Sequence, residues 1–354
     1  SKGSASGVYR PGFTLMTYPN TDLSWGKTHD YNFGLDMGFW NGRIGVSFDY
    51  FVRYETNKIT SAPDYFFPPS TGTDGAYPSM NFSKLKAWGW DFTISHKNTI
   101  GKFKYNMSIN LSKSNDKYLD YGDETNQLPN LRRKGTSSLT WKMYQAAGLF
   151  QNQEEIDNWP LDQDGRGNST LAPGDIKYVD QNEDGVLDSK DLIYVRNSSH
   201  PDMDFSFRMG MQYKGFFLNA IFQGESGYKQ NITDSYTIEN GTLPKYQKYH
   251  LTDSWSESNP SGKYPRVKIA TKNDNNRKES TFWIEDCNFV RLKLLNLGYN
   301  FPGSIVKKMS LSSLSIALQA SNLFTISSLK SMDPESLRGY PIQRSYGVTL
   351  NLGF

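Results

Sequence analysis

The chain carries one cysteine and four histidines in 354 residues. A lone Cys287 excludes a disulfide framework and says little about compartment. No stretch approaches the roughly 18–20 consecutive apolar residues of a membrane helix, so a helical membrane protein is excluded. Neither sign of charge dominates: 39 basic and 36 acidic side chains leave a net +3. The longest basic run is Arg132-Arg133-Lys134, too little to imply a nucleic-acid partner. Apolar residues are also scarce, at 36%, against about 45–50% (glycine included) in an average globular domain. The chain starts at Ser1 with neither an initiator Met nor a signal peptide, the expectation for a processed protein or a piece of a larger one.

Aromatic residues are abundant, with 22 Tyr, 21 Phe and 8 Trp, whereas disordered chains are poor in them. The dominant pattern is alternation with a period of two. Ile44, Val46, Phe48, Tyr50, Val52 and Tyr54 share one face of the run 43–55, opposite Arg43, Gly45, Ser47, Asp49, Arg53 and Glu55. The runs 102–112, 202–214 and 345–354 alternate as cleanly, and weaker runs lie near 31–39, 85–97, 216–224, 288–300 and 313–323. The phase slips near Leu294-Leu295, which reads as a bulge. About nine strands result, with one short helical turn over Gln153–Trp159 and no repeat of fixed period.

The connections sort by length. Asn41-Gly42 is a two-residue hairpin turn, and Asn98–Gly101 and Lys214-Gly215 also read as tight. The other links, roughly 57–83, 114–201, 230–287 and 325–342, far exceed the usual length of about 4–6 residues. Short and long links alternate, so tight turns fall at one end of the strands and long loops at the other. Outer-membrane β-barrels sort their loops this way, with polar interiors and aromatic girdles. The expected fold is all-β: a transmembrane antiparallel β-barrel with long extracellular loops, ending at Phe354 in the periplasm. Nine strands do not make the even count of a bacterial barrel, and an open edge in lipid is costly. The chain therefore reads as part of a larger barrel. A soluble calcium-stabilised, carbohydrate-binding β-protein and a non-transporting structural surface protein remain open as alternatives.

One segment has metal-ligand spacing. Asp180, Asn182 and Asp184 fill positions 1, 3 and 5 of a twelve-residue calcium loop, Gly185 the turn, the Val186 carbonyl position 7, Asp188 position 9 and Asp191 position 12. The oxygen-rich set suits Ca²⁺ in a structural role, and the flanking Asp175-Ile176-Lys177-Tyr178 reads extended rather than helical. Catalytic patterns are missing: the histidines are scattered, and no nucleophile elbow, Walker loop or dinucleotide fingerprint is present. Glu285 and Asp286 beside Cys287 would raise its pKa. The pairs Glu154-Glu155 and Asp333/Glu335 read as solvated loop charge. No enzyme is expected. The loop aromatics Tyr65, Phe66, Trp141, Tyr144, Trp159, Tyr246 and Trp255 are candidates for contacts with a ligand or a lid, and packing of loop against loop explains any one of them equally well.

Several motifs resemble those of SusC/RagA-type TonB-dependent outer-membrane transporters. These are Tyr18-Pro19-Asn20 with Leu23-Ser24-Trp25, the run from Gly174 through Asp180 to Gly185, and Tyr264-Pro265-Arg266. Phe289-Val290-Arg291-Leu292-Lys293, Leu297-Gly298-Tyr299, Asn322-Leu323-Phe324, Asp333-Pro334-Glu335 and the closing strand from Tyr340-Pro341 to Phe354 follow in the same order. Gly26 and Glu183 depart from the pattern. The resemblance covers nearly the whole chain and implies that residues 1–354 are the C-terminal part of a 22-stranded barrel, with the calcium loop at about 174–191. It also implies a plug and TonB box in an N-terminal portion outside this chain, energy from TonB, a SusD-like surface lipoprotein as lid, and a glycan or oligopeptide substrate. Phe354 resembles the terminal aromatic read by the barrel-assembly machinery.

Overall fold

The computed structural model describes residues 17–62, 66–67, 70, 77–124, 126–198, 200–232, 248–268, 274–329, 332–336 and 340–354. In chain order, β1 (Lys27–Phe39), β2 (Ile44–Ser61), β3 (Ser79–Ile100) and β4 (Phe103–Asp120) open a wall. A long excursion then carries β5 (Thr140–Tyr144), β6 (Ala146–Leu149), helix α1 (Gln153–Asp157), β7 (Ile176–Tyr178) and β8 (Leu192–Arg196). The wall resumes with β9 (Met203–Tyr213) and β10 (Phe216–Ser226). A second excursion holds β11 (Lys229–Asn231), α2 (Lys248–Thr252) and β12 (Ile284–Asp286). β13 (Phe289–Asn300), α3 (Gly303–Lys308), β14 (Ser313–Ser321), β15 (Thr325–Ser327) and β16 (Ser345–Gly353) complete the chain.

Nine strands form one antiparallel path, β1-β2-β3-β4-β9-β10-β13-β14-β16, with β15 paired to β13. They are the nine that alternation predicts. Their neighbours follow chain order, as hairpin connections require. Turn chemistry sets the register at one end. Tyr213 pairs directly with Phe216 across Lys214-Gly215, whose positive φ values of 47° and 92° suit a two-residue hairpin turn. Ile100 pairs with Phe103, so that turn is Gly101-Lys102, slightly later than the sequence suggests. The expected bulge is present, one residue earlier: Ile221 pairs with Leu294 and Phe222 with Leu292, leaving Lys293 extra.

Register carries one apolar face across all nine strands. One row runs Phe33–Tyr50–Trp90; others run Met107–Met209–Ala220–Leu295–Ala320–Tyr346 and Tyr299–Ile316–Leu350. Tyr31, Phe33, Val348 and Leu350 on this face are exposed. Rings gather near the tight turns, where Phe216 and Tyr299 lie 4.7 Å apart and Tyr299 and Phe301 5.1 Å apart. A second group, Tyr31, Tyr54, Trp88 and Trp90, lies toward the long loops. An apolar band between two aromatic girdles is the outer surface of a membrane barrel.

The opposite face is polar and pairs with itself. Asn110 accepts from Thr93 Oγ1 (3.0 Å) and donates to Ser206 Oγ (2.9 Å), linking three strands. Arg53 Nε lies 2.6 Å from Asp30 Oδ1. Within the described residues β1 and β16 each pair on one side only, so the wall is an open section of a barrel. No described helix is long and apolar enough to cross a membrane.

The buried core lies in the loops rather than behind the wall. Leu149, Leu161, Ile176, Tyr178, Ile232, Trp255, Tyr264 and Trp283 form its main cluster, with Tyr144, Trp159 and Met332 packed against it. Segments from three long connections thus condense into one body above the wall. β3 and β4 also outrun their sequence-derived ends, from Ser79 and up to Asp120, and the top of β4 meets the following connection where Asp116 accepts from Ser138 N at 2.6 Å.

Candidate functional site

Asp175 anchors the loop body. Gly174 before it takes φ +88°, a conformation glycine adopts freely, and the Trp255 ring and the Cβ of Arg266 leave no room for a side chain there. Gly174 donates to the Phe150 carbonyl (2.7 Å), and Phe150 donates to that of Asp175 (2.9 Å). The Asp175 carboxylate is fully buried. It accepts from Arg266 Nε (2.8 Å) and Nη2 (3.1 Å), Lys268 Nζ (3.1 Å) and Asn276 Nδ2 (2.8 Å). Burial alone would push its pKa up, but the Arg266 hydrogen bonds and the Lys268 charge more than offset that, so it sits below the usual range. Two of the sequence motifs, Gly174–Tyr178 and Tyr264–Arg266, therefore meet as one bidentate ion pair.

A second pair of motifs meets at the wall. Arg291, almost wholly buried, places Nη2 2.7 Å from Asp333 Oδ1. Its Nε is 2.7 Å from Glu335 Oε2, without the alignment of a hydrogen bond. The bulge aims Lys293 Nζ at Glu335 Oε1, 2.6 Å away. Asp333 and Glu335 are thus not solvated loop charge, as the sequence suggested. They bind the β15–β16 connection to β13, and Asn322, which donates to the Lys293 carbonyl (3.1 Å), fastens the same corner. Glu154 remains exposed, and Glu155 accepts from Lys177 Nζ at 3.2 Å.

The calcium-loop segment is folded tightly on its own carboxylates. Asp180 accepts from the backbone of Glu183 (2.7 Å) and Gly185 (2.8 Å), Asn182 from Asp184 (3.4 Å), and Asp184 from Val186 (3.1 Å). Asp188 caps a short turn and receives Lys190 N at 2.7 Å. Asp191 is fully buried; burial first and the neighbouring Asp180 charge second raise its pKa, against the hydrogen bonds from Asp188 and Gln181. Lys190 Nζ lies 3.0 Å from Asp184 and 3.6 Å from Asp188. Among the described residues no group of three or more His, Cys, Asp or Glu is arranged to hold a metal ion.

Of the candidate aromatics, Trp255 is buried in the loop core and its Nε1 donates to Gln151 Oε1 at 3.1 Å. Tyr144 packs 5.7 Å from Tyr178. Phe66 tilts against Phe82 at 5.3 Å, Trp141 lies on β5 opposite Val195, and Tyr65 and Tyr246 fall outside the described residues. Trp159 is half-buried and borders an open concavity of about 500 Å³ with Leu161, Tyr178, Asp180 and Glu183. An aromatic wall beside carboxylates can stack on a sugar face or receive a basic side chain. Cys287 is buried, and burial followed by the Glu285 and Asp286 charges pushes its thiol up to about 12, an inert state. Phe354 is almost fully exposed just past β16. Sequence reading missed the polar core residues Gln163, Asn275 and Asn276; Gln163 Nε2 donates to the Ile176 carbonyl (3.0 Å) and its Oε1 accepts from Tyr178 N (2.7 Å).

A continuous outer apolar band, a polar inner face and a loop body at one end define this chain as a section of an outer-membrane β-barrel wall with its long loops. A sequence model of the family described as "TonB dependent receptor-like, beta-barrel" matches residues 2–190, and the chain belongs to that family, whose members are outer-membrane proteins. It is 26% identical over 344 residues to TonB-dependent receptor P26 of Formosa agariphila, a match covering 93% of this chain and 33% of that protein. TonB-dependent receptor SusC of Bacteroides thetaiotaomicron is 25% identical over 364 residues, covering 95% of this chain and 32% of SusC. A solved structure titled "Structure of the RagAB peptide transporter" shares the fold, with a TM-score of 0.69, 24% identity and coverage of 97% of this chain and 37% of that one. The chain spans about a third of the length of these relatives.

Proposed function

We propose that this chain forms the C-terminal wall and outer loops of a TonB-dependent transporter that imports a glycan or an oligopeptide across the outer membrane. The observation that carries this reading is the division of one register-linked sheet into an apolar outer and a polar inner face, with every long loop at one end. In this reading the loops are extracellular, and β16 descends so that Phe354 is periplasmic. The loops line the mouth of the path and offer a docking surface to a SusD-like lipoprotein. The rest of the barrel, the plug and the contact with TonB belong to the remainder of the transporter. The chain's part is binding and passage, without catalysis.

Ca²⁺ belongs to this proposal as a structural ion of the 180–191 loop. The donor set is all oxygen, as a hard cation prefers. Asp191 is solvent-excluded beside Asp180 with no ion pair of its own among the described residues, and a cation would relieve that repulsion. Asp180, Asn182, Asp184, the Val186 carbonyl, Asp188 and Asp191 would hold it, in competition with Lys190 for Asp184 and Asp188.

The transport reading is tested by growing a strain lacking the full-length gene, and its complemented parent, on a panel of purified glycans and peptides as sole nutrient. A growth defect confined to one class, restored by the gene, is expected. Equal growth on every substrate would overturn the transport role and leave a structural surface protein.

A further inference from the structure

Charge is distributed very differently on the two faces of the wall. The inward face mixes both signs and pairs some of them, as Arg53 with Asp30, while Lys58 pairs with Glu55 and Lys84 with Asp120 toward the rim. The outward positions linked by register from Lys27–Thr56 down to the tight turns hold no Asp or Glu on any of the nine wall strands. Their only full cations are Lys27, Lys86, Lys113 and Lys117. All four lie on β1, β3 and β4 at the long-loop end, and none forms an ion pair among the described residues.

Register makes the grouping tight. One row crosses four strands as His29–Tyr54–Lys86–Lys117. Lys86 and Lys117 are directly opposite each other, a like-charge pairing that destabilises an antiparallel ladder unless something neutralises it. Lys86 Nζ lies 5.5 Å from the ring centres of both Tyr54 and Trp88, and Lys117 Nζ 6.0 Å from that of Trp88. Lys113 stands four residues below Lys117 on the same face, opposite Trp90. The lysines therefore rise from the upper aromatic girdle, at the depth where lipid headgroups meet the barrel.

We propose that Lys86, Lys113 and Lys117, with the rings of Tyr54 and Trp88, form a binding site for a phosphate-bearing lipid headgroup of the outer leaflet. The phosphate supplies the missing counter-charge to the opposed lysines, while the acyl chains lie on the apolar band below. A basic cluster beside a membrane surface attracts anionic headgroups in this way. The site rests on the reading that this face meets lipid on the side of the long loops.

The test uses the full-length transporter in detergent, stripped of lipid, titrated with a bisphosphorylated glycolipid, with its dephosphorylated form and with inorganic phosphate. The phosphorylated lipid should bind best and more weakly as salt rises. K86Q/K117Q should weaken it on the order of 30-fold, from about one unit of lysine–headgroup attraction lost per residue. K113Q alone should give a smaller loss in the same direction, and serves if the double variant does not assemble. The inward-facing K97Q/K104Q should bind as the parent does. Unchanged affinity in the outward variants, equal binding of the dephosphorylated lipid, or inorganic phosphate competing at the lipid's own concentration would overturn the proposal. A parent protein soluble without detergent would instead overturn the membrane reading beneath it.

Discussion

Replacing Asp175 by asparagine keeps the shape of the side chain and removes its charge. The native carboxylate is fully buried, with two bonds from Arg266, one from Lys268 and one from Asn276. Losing one partner of a buried ion pair costs about 3–5 kcal/mol. Arg266 and Lys268 keep 29% and 20% of their side-chain surface in water, so part of that cost is recovered by solvation. About 2–4 kcal/mol is the resulting expectation. The loss should appear as local opening of the loop body, with the wall intact. Amide exchange followed by mass spectrometry reads it at Arg266, whose N–H donates to the Gly174 carbonyl (3.0 Å). D175N should speed exchange there roughly 30- to 1,000-fold and leave the amides of β9 and β10 unchanged. The pH dependence follows with its sign. The folded pKa lies below 3.8, so the carboxylate's contribution is complete above the unfolded value and is lost as pH falls through the folded one. The parent's loop protection should therefore weaken below about pH 4, and D175N should flatten that limb. Equal exchange in parent and variant at neutral pH would refute the assignment of Asp175 as the anchor.

Three further outcomes follow from the same geometry. G174A must hold alanine at φ +88° against the Trp255 ring, and should cost the loop body about 2–4 kcal/mol; unaltered exchange around Trp255 would contradict the close approach. Added Ca²⁺ should raise the loop's resistance to thermal unfolding in the parent and do so less in D180A and D184A, whereas no calcium-dependent shift in the parent would remove the ion from the account. Deletion of Phe354 should lower the amount of assembled protein in the outer membrane, measured by quantitative immunoblotting of membrane fractions, and unchanged levels would leave that ring as a rim side chain only.

The wall was legible because alternation is a local property. Phe103, Tyr105, Met107, Ile109 and Leu111 declare their face within eleven residues, and Lys214-Gly215 declares its turn within two. The loop body was not legible for the opposite reason. β7, β11, β12 and β15 are each three residues long, too short to show a period. Asp333 and Glu335 lie 42 residues from the arginine and the lysine they bind, so they read as solvent-facing acids until the fold brings those cations over. Asp175 was visible as part of a motif, yet nothing local marks it as buried, because its neutralising partners come from 91 and more residues away. The metal-like spacing at 180–191 was visible at once, and the hydrogen bonds there show a loop that also closes on its own amides.

A core placed in the loops divides the chain into two materials with different tolerance to change. The outer face of the wall asks each site only to be greasy and of roughly the right girth, so Leu, Met, Phe and Val can exchange there with modest effect. The loop body asks for particular shapes: no side chain at 174, an acid at 175, an arginine at 266. Drift should therefore erase the identity of the wall faster than that of the loops, though the wall is the more regular object. The irregular loop end of this molecule, and not its regular wall, contains the part least free to vary.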